Sequence, residues 1–150
     1  MPVLDETLIG HAFAPHTAVV EAGRLRLFAK ATGETRQEYL DEAAARAAGH
    51  PSLPAPPTFA ACLYLDHSDL FGWFNTLGVD ISRVLHGGQS FRYFAPIYAG
   101  DLLTFSSRVE DVLSKRGGAL VFLVRETDVD NQAGVRVAEV RSTIVVRGSK

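Results

Sequence analysis

The strongest constraint in this sequence is a change of hydrophobic period near Val79, after which apolar and polar residues alternate. Because successive side chains of a β-strand point to opposite faces, the alternation predicts strands rather than helices. Four runs alternate or are apolar on both faces: residues 90–93, 103–110, 120–124 and 135–146. Turn-forming segments separate them: residues 99–101, 115–118 and 130–134. Short connections favour antiparallel neighbours, so this half predicts an antiparallel meander of four long strands.

The first half of the chain carries the helix signals. A short β-branched run over residues 17–21 predicts a strand, and the apolar spacing of residues 24–32 predicts a helix that ends at Gly33. Asp41 is expected to be the N-cap of a second helix over residues 42–48, a run of strong helix formers.

A proline-rich loop over residues 50–57 and an apolar run follow the second helix. The apolar run, residues 58–65, is too short for its period to decide between a buried strand and a buried helix. Ser68 is expected to cap a third helix over residues 69–77, which is apolar nearly all round and therefore buried. Together these elements predict an α+β fold, in which a strongly curved antiparallel sheet of about five strands wraps around this helix. Its exposed sheet edges favour dimerisation.

Composition limits the classes of protein to which the chain can belong. Its 150 residues predict a single domain over residues 1–150, and a net charge of −2 without a basic run argues against nucleic-acid binding. The single cysteine, Cys62, excludes an internal disulfide and favours a reducing, cytoplasmic setting. We expect no signal peptide and no membrane association, since no apolar stretch approaches about 20 residues. The histidines lack metal-ligand spacing, so no metal or other cofactor is expected.

Residues 28–41 (FAKATGETRQEYLD) carry a family pattern. They resemble the catalytic segment of the MaoC-like (R)-specific enoyl-thioester hydratases and 3-hydroxyacyl-thioester dehydratases, which reads approximately Y-x-x-x-S/T-G-D-x-N-P-x-H-x-D. Phe28 falls on the aromatic position, Thr32 and Gly33 fall on the S/T-G pair, and Asp41 falls on the final acid. The resemblance implies the hot-dog fold.

The same segment departs from the family at the positions that carry chemistry. In the family, an acid and a histidine flank one water, activate it for addition to the β-carbon and handle the proton at the α-carbon. Here the acid position is Glu34, one methylene longer, and the histidine position is Tyr39. A tyrosine phenol, with an ordinary pKa of about 10, does not serve as a base at neutral pH. Arg36 and Gln37 replace the asparagine and the proline. We therefore interpret the dyad as degenerate.

Three more blocks narrow the resemblance to one branch of the family: residues 55–59 (APPTF), 85–91 (LHGGQSF) and 95–101 (APIYAGD). They resemble the N-terminal, FAS1-like half of the MaoC superfamily, and the resemblance extends over residues 20–148. In that branch, the half with the eroded dyad pairs with a second hot-dog that carries the intact Asp and His. The resemblance therefore implies a supporting subunit that shapes the pocket for an acyl-CoA or acyl-carrier-protein thioester.

The resemblance also implies residues that contact the substrate: Phe28, Phe59, His86, Gly87 and Gln89. His86 is in addition a candidate catalytic residue, although a histidine at the start of a strand is more often structural. The sequence leaves homodimer and heterodimer open. Two other functions also remain open: a self-sufficient homodimeric hydratase that uses Glu34 with Tyr39 or His86, and a non-catalytic hot-dog protein that binds acyl thioesters.

Overall fold

The computed structural model describes residues 4–67 and 69–148 of the chain. Its strands and helices follow in the order β1 (His16–Val19), α1 (Ala22–Ala31), α2 (Glu42–Ala47), α3 (Phe59–His67), α4 (Leu70–Thr76), β2 (Val84–Tyr93), β3 (Leu102–Lys115), β4 (Leu120–Asp130) and β5 (Arg136–Arg147). Short 3₁₀ turns occur at Glu6–Leu8, Gln37–Tyr39 and Ile81–Arg83. Within the two described ranges, no helix is long and apolar enough to cross a membrane.

The strands predicted from the alternation are confirmed, and they form one antiparallel sheet with β1. In β5, Ala138, Val140 and Ile144 are buried, as expected for residues that lie on the same face of a strand. β4 lies between β3 and β5, and the adjacent residues Leu123 and Val124 of its apolar run are both buried, so both faces of the sheet are covered at this point.

The predicted meander is wrong for its first strand. The strand order is β1-β3-β4-β5-β2, so β2 pairs with β5 and not with β3. The segment between β2 and β3 does not turn back as a hairpin, because it bonds to other loops. The Ala55 N–H donates to the Ile97 carbonyl at 2.8 Å, and the Gly100 N–H donates to the Val20 carbonyl at 2.8 Å. This crossing leaves the outer edge of β2 without a neighbouring strand among the described residues.

The first two helices are confirmed, although α1 begins two residues earlier than predicted, at Ala22, and α2 ends at Ala47. Gly33 follows α1 with a φ of 75°, a left-handed conformation that glycine adopts without strain. The Asp41 side chain accepts a hydrogen bond from the Ala44 N–H at 2.8 Å and so caps α2.

The buried central helix is α3, which resolves the ambiguous apolar run, and not the predicted helix over residues 69–77. α3 buries Phe59 and Leu63 in the main core, whereas α4 buries Phe74 and leaves Phe71 61% exposed. The predicted cap Ser68 lies outside the described residues. Asp69 caps α4 instead, accepting from the Gly72 N–H at 2.9 Å.

The outer face of the sheet is covered by ion pairs between neighbouring strands. Arg108 pairs with acids on β3 and β4, and Arg136 pairs with acids on β4 and β5; the acids are Glu110, Glu126, Asp128, Asp130 and Glu139. Both arginines are therefore fully engaged by carboxylates, and the five acids leave this group of seven residues with an excess of negative charge.

Candidate functional site

Glu34 is held by its immediate neighbours. Its carboxylate accepts hydrogen bonds from the Arg36 guanidinium at 2.8 and 3.1 Å, and from the peptide N–H groups of Thr35 and Arg36 at 3.0 and 2.9 Å. The Arg36 guanidinium, followed by the Arg36 peptide N–H, lowers the pKa of Glu34 to about 2. A carboxylate this acidic is a poor general base, because proton abstraction is most efficient when the pKa lies near the working pH.

The other two residues of the degenerate motif have separate surroundings. The Tyr39 ring lies 4.7 Å below the Arg36 guanidinium, and one side of the residue faces a cavity. The Asp41 carboxylate caps α2, which confirms the prediction that Asp41 is a helix N-cap. The segment therefore places no acid–base pair of the family type beside the cavity.

The cavity has a volume of about 440 Å³ and opens between the proline-rich loop, the start of α3 and the end of β2. Its lining is mainly apolar: Tyr39, His50, Pro54, Ala55, Pro56, Pro57, Ala60, Tyr93, Phe94, Ala95, Pro96 and Ile97. One ring nitrogen of His50, Nδ1, lies 3.3 Å from the hydroxyl of Tyr98, a residue that does not line the cavity. An apolar cavity with a few polar groups is typical of a small-molecule site.

Phe28 and Phe59 lie together at a second, smaller groove of about 200 Å³. Their rings meet edge to face with centroids 5.4 Å apart. Phe59 is only 2% exposed, so it belongs to the core and supports Phe28 from below. Cys62 lines the same groove, and burial raises the pKa of its thiol.

A β-bulge in β2 puts His86 and Gln89 on the same face of the sheet. Residues three apart in a regular strand point to opposite faces, but here the register with β5 shifts between His86 and Gly88. His86 lies opposite Ile144 and Gln89 lies opposite Ser142, both of which are buried on the inner face.

Gly87 is the extra residue of this bulge. A Cβ atom built on Gly87 would lie 2.6 Å from Val145 Cγ2 and 3.2 Å from the Thr143 carbonyl oxygen. The missing side chain therefore makes room for β5 rather than for a ligand.

A hydrogen-bond relay fixes the His86 ring. Gln89 Oε1 lies 3.1 Å from His86 Nε2 and accepts from the Ser142 hydroxyl at 3.0 Å. An amide oxygen only accepts, so the relay assigns a proton to Nε2 of His86. His86 and Gln89 thus present an oriented polar pair next to the open edge of β2.

The predicted site residues therefore fall into separate places. Tyr39 lines the cavity, Phe28 lines the smaller groove, and His86 with Gln89 lies further back along β2. Sequence reasoning missed Tyr93, although its alternation with Phe91 already places it on the inner face. Within residues 4–67 and 69–148, no three His, Cys, Asp or Glu side chains are grouped closely enough to hold a metal ion.

The sheet order and the central α3 define a hot-dog fold of the MaoC-like dehydratase class, as predicted. A chain of the HadBC (3R-hydroxyacyl-ACP dehydratase) complex of Mycobacterium tuberculosis superposes with a TM-score of 0.78 at 25% identity, over 92% of this chain and 96% of that one. A protein named MaoC-like dehydratase superposes with a TM-score of 0.84 at 23% identity; the match covers 96% of this chain and 43% of that longer one.

The family follows from the sequence match. Residues 7–140 match the FAS1-like dehydratase domain region, and the chain belongs to this family. It is also 38% identical over 149 residues to a UPF0336 protein of Streptomyces coelicolor, covering 98% of this chain and 97% of that one. A UPF0336 protein of Clavibacter michiganensis is 41% identical over 138 residues, covering 91% and 89% of the two chains.

Proposed function

We propose that this chain is a single-domain, cytoplasmic supporting subunit of an (R)-specific enoyl-thioester hydratase or 3-hydroxyacyl-thioester dehydratase. In this role the cavity and the Phe28 groove receive part of the acyl thioester, and a partner hot-dog chain supplies the catalytic Asp and His. The proposal rests mainly on Glu34, which is hydrogen-bonded to Arg36 and has its pKa lowered to about 2. In addition, a tyrosine, Tyr39, occupies the position of the family's histidine.

The chemistry explains why a partner is needed. Hydration joins the oxygen of water to the β-carbon, breaks the π bond between the α- and β-carbons, and delivers a proton to the α-carbon. One group must take a proton from water while another donates, and the segment with Glu34 and Tyr39 offers no such pair on this chain. The 25% identical HadBC complex supports an arrangement in which two hot-dog chains work together.

The open edge of β2 is the surface we assign to that partner. An unpaired strand edge exposes backbone N–H and C=O groups that a second strand can satisfy. β2 also carries an exposed apolar side chain, since Leu85 is 48% exposed. In this arrangement His86 and Gln89 lie beside the junction of the two chains.

Hydration of crotonyl-CoA tests the proposal directly. The purified chain alone is expected to show no turnover. A mixture with a hot-dog protein that carries an intact G-D-x-N-P-x-H segment, sought among the products of the neighbouring genes, is expected to be active. Native mass spectrometry of the same mixture should show one copy of each chain or a multiple of that pair.

The matched variants separate the supporting role from the self-sufficient alternative. Glu34→Ala and Tyr39→Phe should leave the rate of the mixed complex within about twofold of wild type. Robust activity of the chain alone that either variant abolishes would overturn the supporting role and favour the homodimeric hydratase.

The apolar cavity also favours a second candidate, a non-catalytic binder of acyl thioesters. Thermal-shift titration with a long-chain acyl-CoA distinguishes it, because a binder is stabilised in proportion to the logarithm of ligand concentration over Kd. Stabilisation with no turnover under any pairing with a catalytic hot-dog chain would favour this candidate.

A further inference from the structure

The Tyr93 hydroxyl is an oriented hydrogen-bond donor in the wall of the cavity. Its oxygen accepts a hydrogen bond from the Thr58 N–H at 3.2 Å, so its own proton points elsewhere. Over the described part of the chain, no acceptor for that proton is found, and Tyr93 lines the cavity. The hydroxyl of this lining residue therefore has one hydrogen bond left to give.

Much of the remaining wall cannot provide a comparable donor. Pro54, Pro56, Pro57 and Pro96 have no peptide N–H. The N–H groups of three other lining residues are already paired at 2.8, 2.9 and 3.4 Å; these residues are Ala55, Phe94 and Ala95. A ligand in this cavity thus meets mainly apolar surface, with the side chains of Tyr39, His50 and Tyr93 as the polar groups. Of the two tyrosine hydroxyls, that of Tyr93 is the one oriented by a hydrogen bond from a peptide N–H.

The position of this hydroxyl is fixed from two sides. The Tyr93 ring stacks on Phe91 with an interplanar angle of 2° and centroids 6.1 Å apart. Thr58 has a φ of 76°, a left-handed conformation that is costly for a β-branched residue and is retained where the surroundings impose it. Burial raises the pKa of Tyr93, which keeps the phenol protonated at neutral pH.

We propose that the Tyr93 hydroxyl binds the carbonyl oxygen of an acyl thioester whose acyl chain occupies this cavity. The proposal rests on the proposed function for the choice of ligand. An acyl chain matches the apolar lining, and the thioester carbonyl is the hydrogen-bond acceptor that every acyl thioester carries at the head of that chain. Tyr93 is thereby a substrate-binding residue, supported by Thr58 and separate from the degenerate motif.

A cycle of two ligands and two proteins tests this contact. The ligands are octanoyl-CoA and its thioether analogue S-octyl-CoA, which lacks only the carbonyl oxygen; the proteins are the full-length chain and Tyr93→Phe. Isothermal titration should show that the wild type prefers octanoyl-CoA by about five- to tenfold, the usual strength of one such hydrogen bond. Tyr93→Phe should bind both ligands equally. Contacts to the CoA moiety cancel in this comparison.

Tyr98→Phe is the matched control, because Tyr98 is not among the lining residues of the cavity and its hydroxyl lies 3.3 Å from Nδ1 of His50. This variant should keep the wild-type preference, and circular dichroism should confirm that both variants fold. Equal binding of the two ligands by wild type, a preference retained in Tyr93→Phe, or no binding of either ligand would each overturn the proposal. A preference that depends on Tyr93 in a chain that never supports hydration with its partner would instead reject the proposed function and leave this contact standing.

Discussion

Residues 33–41, which include the degenerate dyad positions and are called the degenerate motif below, differ from the edge strand β2 in how their polar side chains are held. In the motif, Glu34 bonds to residues one and two positions away, and Asp41 bonds to the first turn of its own helix. In β2, Gln89 reaches Ser142 and Tyr93 reaches Thr58, 53 and 35 residues away. The motif has thus become a local structural element, whereas β2 presents groups that are oriented by the tertiary structure and still face a cavity or an open edge.

The largest expected effect comes from exchanging the glycines of the two regions for alanine. Gly87→Ala forces a Cβ against Val145 and the Thr143 carbonyl, so it should lower the free energy of unfolding by about 1–3 kcal/mol. Gly33 has open space around it and only its φ of 75° resists a side chain, so Gly33→Ala should cost about 1 kcal/mol. Urea denaturation measures both.

Gly33→Asn is the control for this pair, because asparagine tolerates the left-handed region better than alanine. It should recover part of the loss in Gly33→Ala. A Gly87→Ala variant as stable as wild type would show that the bulge is not held by close packing against β5.

Asp41 provides the next test, since it is a helix cap at a position where the family has an acid. Asp41→Ala should cost about 1 kcal/mol, and Asp41→Asn should be nearly neutral because asparagine caps equally well. The mixed complex with Asp41→Asn should hydrate crotonyl-CoA at the wild-type rate. A large loss of activity in this stable variant would contradict the structural interpretation.

Ser142→Ala tests the relay that supports β2. Ser142 is buried and its hydroxyl donates to Gln89 Oε1, which keeps its contact with His86 when the serine is lost. The expected cost is about 0.5–1 kcal/mol in the free energy of unfolding, as for one hydrogen bond. Gln89→Ala removes the centre of the relay, and we expect it to destabilise the chain more than Ser142→Ala does. The reverse order would contradict the assignment of Gln89 as the centre of the relay.

The smallest effect is expected at Glu34. Its pKa is lowered from 4.5 to about 2, so the ionised form stabilises the folded state at pH values above 4.5 and this contribution is lost as the pH falls towards 2. Because the pair is exposed and screened by solvent, Glu34→Gln should lower Tm by about 1 °C at pH 7. The difference from wild type should vanish near pH 2.

Glu42→Gln, which breaks the exposed pair with Arg46 on α2, is the matched control and should shift Tm by no more than Glu34→Gln at pH 7. A Glu34→Gln effect that grows as the pH falls would contradict the assigned direction of the pKa shift.

Most elements of the fold could be predicted, because their signals are local. The alternation located β3, β4 and β5, and Asp41 located the start of α2. The apolar run that became α3 could not be assigned, since buried helices and buried strands look alike over eight residues. The partner of β2 was predicted wrongly because the crossing segment pairs with the loop near Ala55 instead of turning back.

The sequence could predict only those parts of the candidate site that belong to a recognisable sequence motif. The sequence located the eroded positions Glu34 and Tyr39 and the block with His86 and Gln89. It could not show that a bulge at Gly87 brings His86 and Gln89 to one face, because a bulge depends on the register with β5. It also could not identify Tyr93, because the hydroxyl of Tyr93 is oriented by the distant Thr58 N–H.

The sequence by itself determined the strands, the helix caps and the loss of the family dyad, because each depends on residues within a few positions of one another. Only the tertiary structure decided the order of the strands, the cavity beside Tyr93, the relay to Ser142 and the open edge of β2. The pairing of β2 with β5, the relay and the contact between Tyr93 and Thr58 join segments 35 or more residues apart. Such pairings are set by the packing of the sheet around α3 and not by any local pattern.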